Sequence, residues 1–197
     1  MKILGTVLGA VVTAALVVVL WAVGAYNGIV SQNEGVKKAW SQVENQYQRR
    51  LDLVPNLVET VKGSAKFEKE TLTAVVEARA KVGQVAIGKD VLNDPAAFKR
   101  FEEAQGGLSS ALSRLMVVAE KYPELKSTQG FRDLQVQLEG TENRVAVARK
   151  DFNDEAQDYN TAIKRFPGSV VAGFGGFKER PYFQAAPQAA AAPAVKF

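Results

Sequence analysis

The chain contains no cysteine and no histidine. That double absence excludes Cys/His zinc sites, disulfides, thiol nucleophiles, Ser-His-Asp hydrolysis and the His-containing di-iron helix bundle. It leaves the redox compartment open, because a cysteine-free chain survives in any. Also missing is any run of basic residues interleaved with aromatics, so no nucleic-acid face is marked and no nucleic-acid partner is expected. The net charge is +4, but setting aside Lys2 and Lys196 leaves 23 Lys and Arg against 21 Asp and Glu, well interspersed. At 197 residues, 47% of them hydrophobic, there is room for one ordinary domain plus accessory segments.

What the chain does have is one long uncharged apolar run, Ile3–Ala25. Its 23 residues, at ~1.5 Å each, make ~35 Å of helix, enough for a hydrocarbon core of ~30 Å. Trp21 and Tyr26 stand at its far end, where amphipathic rings favour the interface. A cleaved signal peptide is the rival reading, but its apolar region normally runs only about 7–15 residues. Residues 1–27 are therefore expected to be an uncleaved, single-pass transmembrane anchor, with Ile3, Trp21 and Tyr26 as anchor residues. The Lys and Arg flanking the span are close to balanced and leave its orientation undetermined, with a slight lean to a cytoplasmic body.

Residues 28–167 show no strand pattern. Pro55, Pro95 and Pro123 fall where one apolar periodicity stops and another starts, which divides the region into four helices. The first, about Ile29–Leu51, carries Ile29, Val36 and Val43 in one row and Trp40 and Tyr47 in the next. The second, about Pro55–Ala86, turns Val58, Val61, Ala65, Leu72, Val75 and Val82 inward. The third opens with Asp94 as N-cap and Pro95 at N1, then repeats Phe98, Phe101, Leu108, Leu112 and Leu115. The fourth starts near Ser127 or Thr128 and repeats Phe131, Leu138, Val145, Phe152, Tyr159 and Phe166 every seven residues. A narrow seven-residue seam implies neighbours crossing at ~20°. The expected fold is all-α: an N-terminal transmembrane helix followed by a long antiparallel up-and-down four-helix bundle. Because the apolar phase runs through Leu51, Val54, Leu57 and Val61, Pro55 could instead kink one long helix. A true break at Pro55 is preferred, since the residue before proline is biased away from helix and Asp52 can cap the second helix. A kink is expected to leave three passes and a break four.

Gly168–Phe183 combines glycines with Phe174, Phe177, Tyr182 and Phe183, too apolar for a free loop, and is expected to pack on the bundle or on the membrane surface. Residues 184–197 are Ala/Pro-rich and nearly uncharged and read as a disordered tail.

Several segments together resemble the LemA family. They are Tyr26-Asn27, Ala39-Trp40-Ser41-Gln42-Val43, the run from Arg49 to Gly63, Ala78-Arg79, Tyr122-Pro123-Glu124-Leu125-Lys126, Leu138-Glu139-Gly140-Thr141-Glu142-Asn143-Arg144, Ala148-Arg149, Phe152-Asn153, Tyr159-Asn160 and Phe166-Pro167. The resemblance covers about Tyr26 to Phe183. It implies a single-span protein of the bacterial inner membrane with a body of long antiparallel helices. It implies no established enzymatic activity and no cofactor. One branch of the family is associated with magnetosome membranes.

Candidate sites are few. Asp151, Asp154, Glu155 and Asp158 share one helical face, but with no histidine and no facing carboxylate cluster they read as a solvated surface rather than a metal site. Arg49, Arg50 and Asp52 form a charged knot that could be a docking surface. Arg79 falls on the inward row of Val58, Ala65, Leu72 and Ala86, so a buried ion pair is expected, with Glu142 as its partner. Mid-helix Gly106, Gly107 and Gly140 suggest close approach of a neighbouring helix or a hinge. The functional expectation is a non-enzymatic scaffold or adaptor at the membrane, binding other proteins or itself. The alternatives are a carboxylate- or metal-dependent enzyme and a self-assembling membrane-shaping protein.

Overall fold

A computed structural model describes residues 2–63, 67–85 and 91–184. The described residues are helical, without strands, and form α1 (Lys2–Lys62), α2 (Lys69–Val85), α3 (Pro95–Ala119), α4 (Pro123–Lys126), α5 (Gln129–Lys164) and α6 (Gly168–Gly175). The Ala/Pro tail expected to be disordered lies, from residue 185 on, outside the described residues.

α1 is a single helix of 61 residues with Pro55 inside it. Its first part is long and apolar enough to cross a membrane and is unburied by the rest of the chain. The expected break at Pro55 is therefore absent, and the reversal comes after Lys62 instead. Proline removes one helical donor, the one that would serve the carbonyl of Leu51. That carbonyl accepts instead from Arg79 Nε at 3.3 Å. A neighbouring side chain thus replaces the bond that proline deletes, and the apolar phase through Val54, Leu57, Val58 and Val61 keeps the helix going, since all four are buried.

The dichotomy of three passes against four dissolves with it. α1 and α3 run away from the apolar end, α2 and α5 run back, and the bundle has four passes although Pro55 does not end a helix. The levels match across helices: Trp40 meets Phe98 and Phe152 at ring separations of 5.8 and 5.5 Å, while Tyr47 meets Phe101 at 5.3 Å. α1 packs along α5 and α2 along α3. Local chemistry starts the helices as the sequence implies. Asp94 accepts from the Ala96 amide at 2.8 Å, and Thr128 caps α5 through the Phe131 amide at 3.4 Å.

The core has two parts. The part nearer the apolar run holds Ile29, Val36, Trp40, Tyr47, Phe98, Phe101, Phe152 and Tyr159. The distal part holds Val54, Leu57, Val61, Val75, Leu108, Leu115, Phe131 and Leu138. The seven-residue row of α5 is buried from Phe131 to Tyr159, but Phe166 stands 80% exposed, because α5 ends at Lys164 and the row ends with it. Gly106 and Gly107 have no neighbour where a Cβ would sit, and Gly140 meets only the tip of Arg144, so close helix approach does not account for them.

After α5 the chain turns back on itself. A Cβ at Gly168 would fall 2.2 Å from the Ala162 carbonyl oxygen, so only glycine fits that approach. α6 closes at Gly176, whose φ of +69° is the left-handed conformation that favours glycine. From Phe177 to Gln184 the chain runs extended along α5 as a strap.

Candidate functional site

Between the two core parts lies a polar layer built from α1, α3 and α5. Its centre is Arg50, only 1% exposed. Nη1 donates to Ser109 Oγ at 2.6 Å and to Glu142 Oε1 at 3.0 Å. Nη2 donates to the Gln105 backbone oxygen at 3.2 Å and to its side-chain oxygen. Ser109 in turn donates to Glu142 Oε2 at 3.4 Å. The guanidinium also sits 4.8 Å from the centre of the Tyr47 ring. Nε has no partner. Burial raises the Tyr47 phenol above its ordinary pKa of 10.0, with Arg149 and Arg50 pulling the other way. Such a layer fixes which levels of three helices face one another, because any slip would strand a buried charge.

This arrangement corrects two expectations. Arg50 is not on a docking surface. It points inward, ~100° around the helix from exposed Arg49 and ~160° from exposed Asp52. The knot is also in mid-helix, so it offers no helix N-terminus. Arg79 does not meet Glu142: it is exposed, and Glu142 belongs to Arg50. The seven-residue row through Arg79 fails because α1 ends at Lys62 and α2 begins at Lys69, which resets the helical phase. Ala65 and Ala86 lie outside the described residues. On the acidic face of α5, Asp154 pairs with Lys150 at 2.6 Å, and among the described residues no carboxylate group of three or more is placed to hold a metal.

A second polar arrangement clamps the strap. Asn160 Nδ2 donates to the Arg180 carbonyl at 2.9 Å and its Oδ1 accepts from the Arg180 amide at 2.8 Å. Asn153 treats Phe183 in the same way, at 3.0 and 2.9 Å. Each asparagine thus acts as a strand partner would. The spacing fits: seven helical residues rise ~10.5 Å and three extended residues cover ~10 Å. Tyr159 donates its hydroxyl to the Lys178 carbonyl at 3.0 Å. Arg180 reaches Asn33 on α1 at 2.8 Å, the Leu92 carbonyl at 3.3 Å and Asn93. Phe183, 6% exposed, enters the core against Phe98 at 4.8 Å and stacks on Trp40 at 6.1 Å. Gln184 is held too, its amide donating to Glu102 at 3.1 Å and its carbonyl accepting from Arg149 at 2.9 Å. The signal for the clamps was present as an aromatic–Asn pair repeated seven residues apart, Phe152-Asn153 and Tyr159-Asn160.

At the other end, Trp21 and Tyr26, expected as anchor residues, touch the chain's return. Trp21 faces Phe166 at 6.1 Å and Tyr26 faces Phe177 at 5.5 Å, while Ile3 lies far out on the apolar run and is exposed.

A family model described as the LemA family matches residues 39–197. The chain belongs to the LemA family. Its match to the LemA model takes in the Arg50 layer, the asparagine clamps and the strap. Among curated proteins, a magnetosome protein MamQ of Magnetospirillum gryphiswaldense is 33% identical over 181 residues, covering 82% of this chain and 65% of the relative. Magnetosome protein MamQ 2 of Paramagnetospirillum magneticum is 31% identical over 179 residues, with the same coverage. Protein LemA of Metamycoplasma hominis is 22% identical over 151 residues, 76% of this LemA-family chain and 64% of that protein. The chain therefore spans just under two thirds of the length of these relatives.

Proposed function

We propose that the chain is a membrane-anchored, non-catalytic scaffold or adaptor, with Ile3–Ala25 crossing the bilayer once and the four-pass bundle presenting a rigid body to other proteins. The observation that carries this reading is the continuity of α1, which passes from the apolar run into the bundle core without interruption. An anchor that is also a core helix transmits position, which is what a scaffold requires. The polar groups inside the body support the same reading. Arg50, Gln105 and Asn160 are buried and make their hydrogen bonds to this chain's own helices and strap, not into an open pocket. Exposed Arg49 and Asp52, with Val136 and Val147 on α5, are among the outward positions available to a partner.

Photo-crosslinking residues placed at Arg49 and Val136 test the proposal in intact membranes. Adducts with a second protein at defined stoichiometry are expected. Adducts between copies of this chain alone would replace the adaptor by a self-assembling protein, and no adduct at either position would end the scaffold reading.

A further inference from the structure

The segment from Phe166 to Phe177 holds no charged residue, and it is bracketed by Lys164-Arg165 before and Lys178-Glu179-Arg180 after. Lys164 and Glu179 pair at 2.8 Å, so the two charged brackets are drawn together and the uncharged stretch between them forms a closed dip. α6 occupies that dip. One side of it closes the membrane end of the core, where Ala172 is buried. The rest lies against the last turns of the apolar run, where Val19, Ala22, Val23 and Tyr26 of α1 line an apolar groove with Val171, Phe174 and Gly175. Beside that groove the apolar surface is bare: Phe174 is 92% exposed, and Val170 and the preceding Phe166 are also exposed.

A run of ~35 Å centred in a core of ~30 Å leaves less than two residues outside at either end. Val19 and Ala22 then lie within the hydrocarbon, and whatever is packed beside them lies there too. We propose that α6 is a second membrane contact, seated in the acyl edge of the leaflet that Val19–Tyr26 traverses, with Phe166, Val170 and Phe174 against lipid. The proposal rests on the anchor reading of Ile3–Ala25. The occupant is lipid because the bare face is continuous with the apolar surface of α1, with no polar rim between them. The backbone tolerates the setting: α6 makes its own helical bonds, and the Phe177 amide returns to the Ala172 carbonyl at 3.2 Å, closing the end. Only the exposed side of α6 meets lipid, since Ala172, Phe183 and the strap belong to the bundle.

The absence of cysteine makes the test direct. Single substitutions Phe174→Cys, Val12→Cys and Val136→Cys in the full chain would each be spin-labelled and reconstituted into phosphatidylcholine–phosphatidylglycerol vesicles. Collision with oxygen, which partitions into lipid, is compared with collision with a water-soluble nickel chelate. The expected result is an oxygen-to-chelate ratio at position 174 several-fold above that at 136 and of the same sense as at 12. A lipid-like value at 12 with a water-like value at 174 overturns the α6 contact and leaves the anchor standing. A water-like value at 12 removes the anchor and the α6 contact together. Shielding from both reagents at 174 places protein over α6 and also overturns the proposal.

Discussion

Arg50 and Glu142, 92 positions apart in the chain, meet at 3.0 Å in the layer that separates the two halves of the core. Arg50 is fully enclosed, whereas the Glu142 side chain is 38% exposed. The two partners therefore differ in what their removal does. Glu142→Ala leaves the enclosed Arg50 guanidinium without its counter-charge, and should cost about 3–5 kcal/mol. Arg50→Ala leaves the Gln105 oxygens unpaired, but water can solvate the part-exposed Glu142, for about 1–3 kcal/mol. Denaturant unfolding of both variants would check this, and equal losses would contradict the asymmetry.

Pro55 and Arg79 form a compensating pair through the Leu51 carbonyl. Arg79→Ala should destabilise by about 0.5–1.5 kcal/mol, the worth of one hydrogen bond. With Pro55→Ala the helical donor returns, and the same Arg79→Ala should cost little. A double-mutant cycle reads the coupling. Strict additivity would mean that Arg79 does not serve the carbonyl left by proline.

The strap should come loose in steps. Asn160→Ala removes both bonds to Arg180 and should abolish hydrogen-exchange protection of the Arg180 amide while the α5 amides stay protected. Asn153→Asp is subtler, because it keeps the acceptor for the Phe183 amide and loses the donor to its carbonyl. Protection at position 183 should fall less than with Asn153→Ala. If the asparagines merely fill space, both variants at 153 would exchange alike.

Burial raises the phenols of Tyr47 and Tyr159 above their ordinary value of 10.0, against the opposing pull of nearby arginines. The folded state then holds these protons at pH values where the unfolded chain releases them. Above pH 10 the folded state binds more protons than the unfolded, so stability falls as pH rises, while below 10 this contribution is intact. Urea midpoints measured across that range should drop less steeply in Tyr47→Phe. An unchanged slope in the Tyr47→Phe, Tyr159→Phe double variant would rule these phenols out as the cause.

Periodicity made the helix faces legible. Ile29, Val36, Val43, Phe98, Leu108, Leu115, Phe131, Phe152 and Tyr159 are all buried where their spacing put them. Four-pass topology was legible too, but its first reversal was assigned to the wrong residue. Proline is a strong local signal, yet a tertiary donor 28 positions away can restore the bond it removes, and sequence does not display such donors. Arg79 and Arg50 were misplaced for different reasons. For Arg79 the interruption between Lys62 and Lys69 shifts the helical phase, whereas Arg50 continues the row of Ile29, Val36 and Val43 by a further seven residues, so its inward position was legible. The strap was expected to pack somewhere, but its pairing with Asn153 and Asn160 needs the chain to double back at Gly168 and Gly176.

The unbroken course of α1 also has a mechanical meaning. One residue inserted near Gly28 would turn everything beyond it by ~100° and raise it ~1.5 Å. No loop separates the two ends of this helix to absorb the twist. α6 rests on the lower turns while α5, joined to it through Gly168, rests on the upper ones, so the two stretches are geared together at a second point. Torque or axial thrust applied at either end is delivered to the other as motion of the whole body, in the manner of a crankshaft.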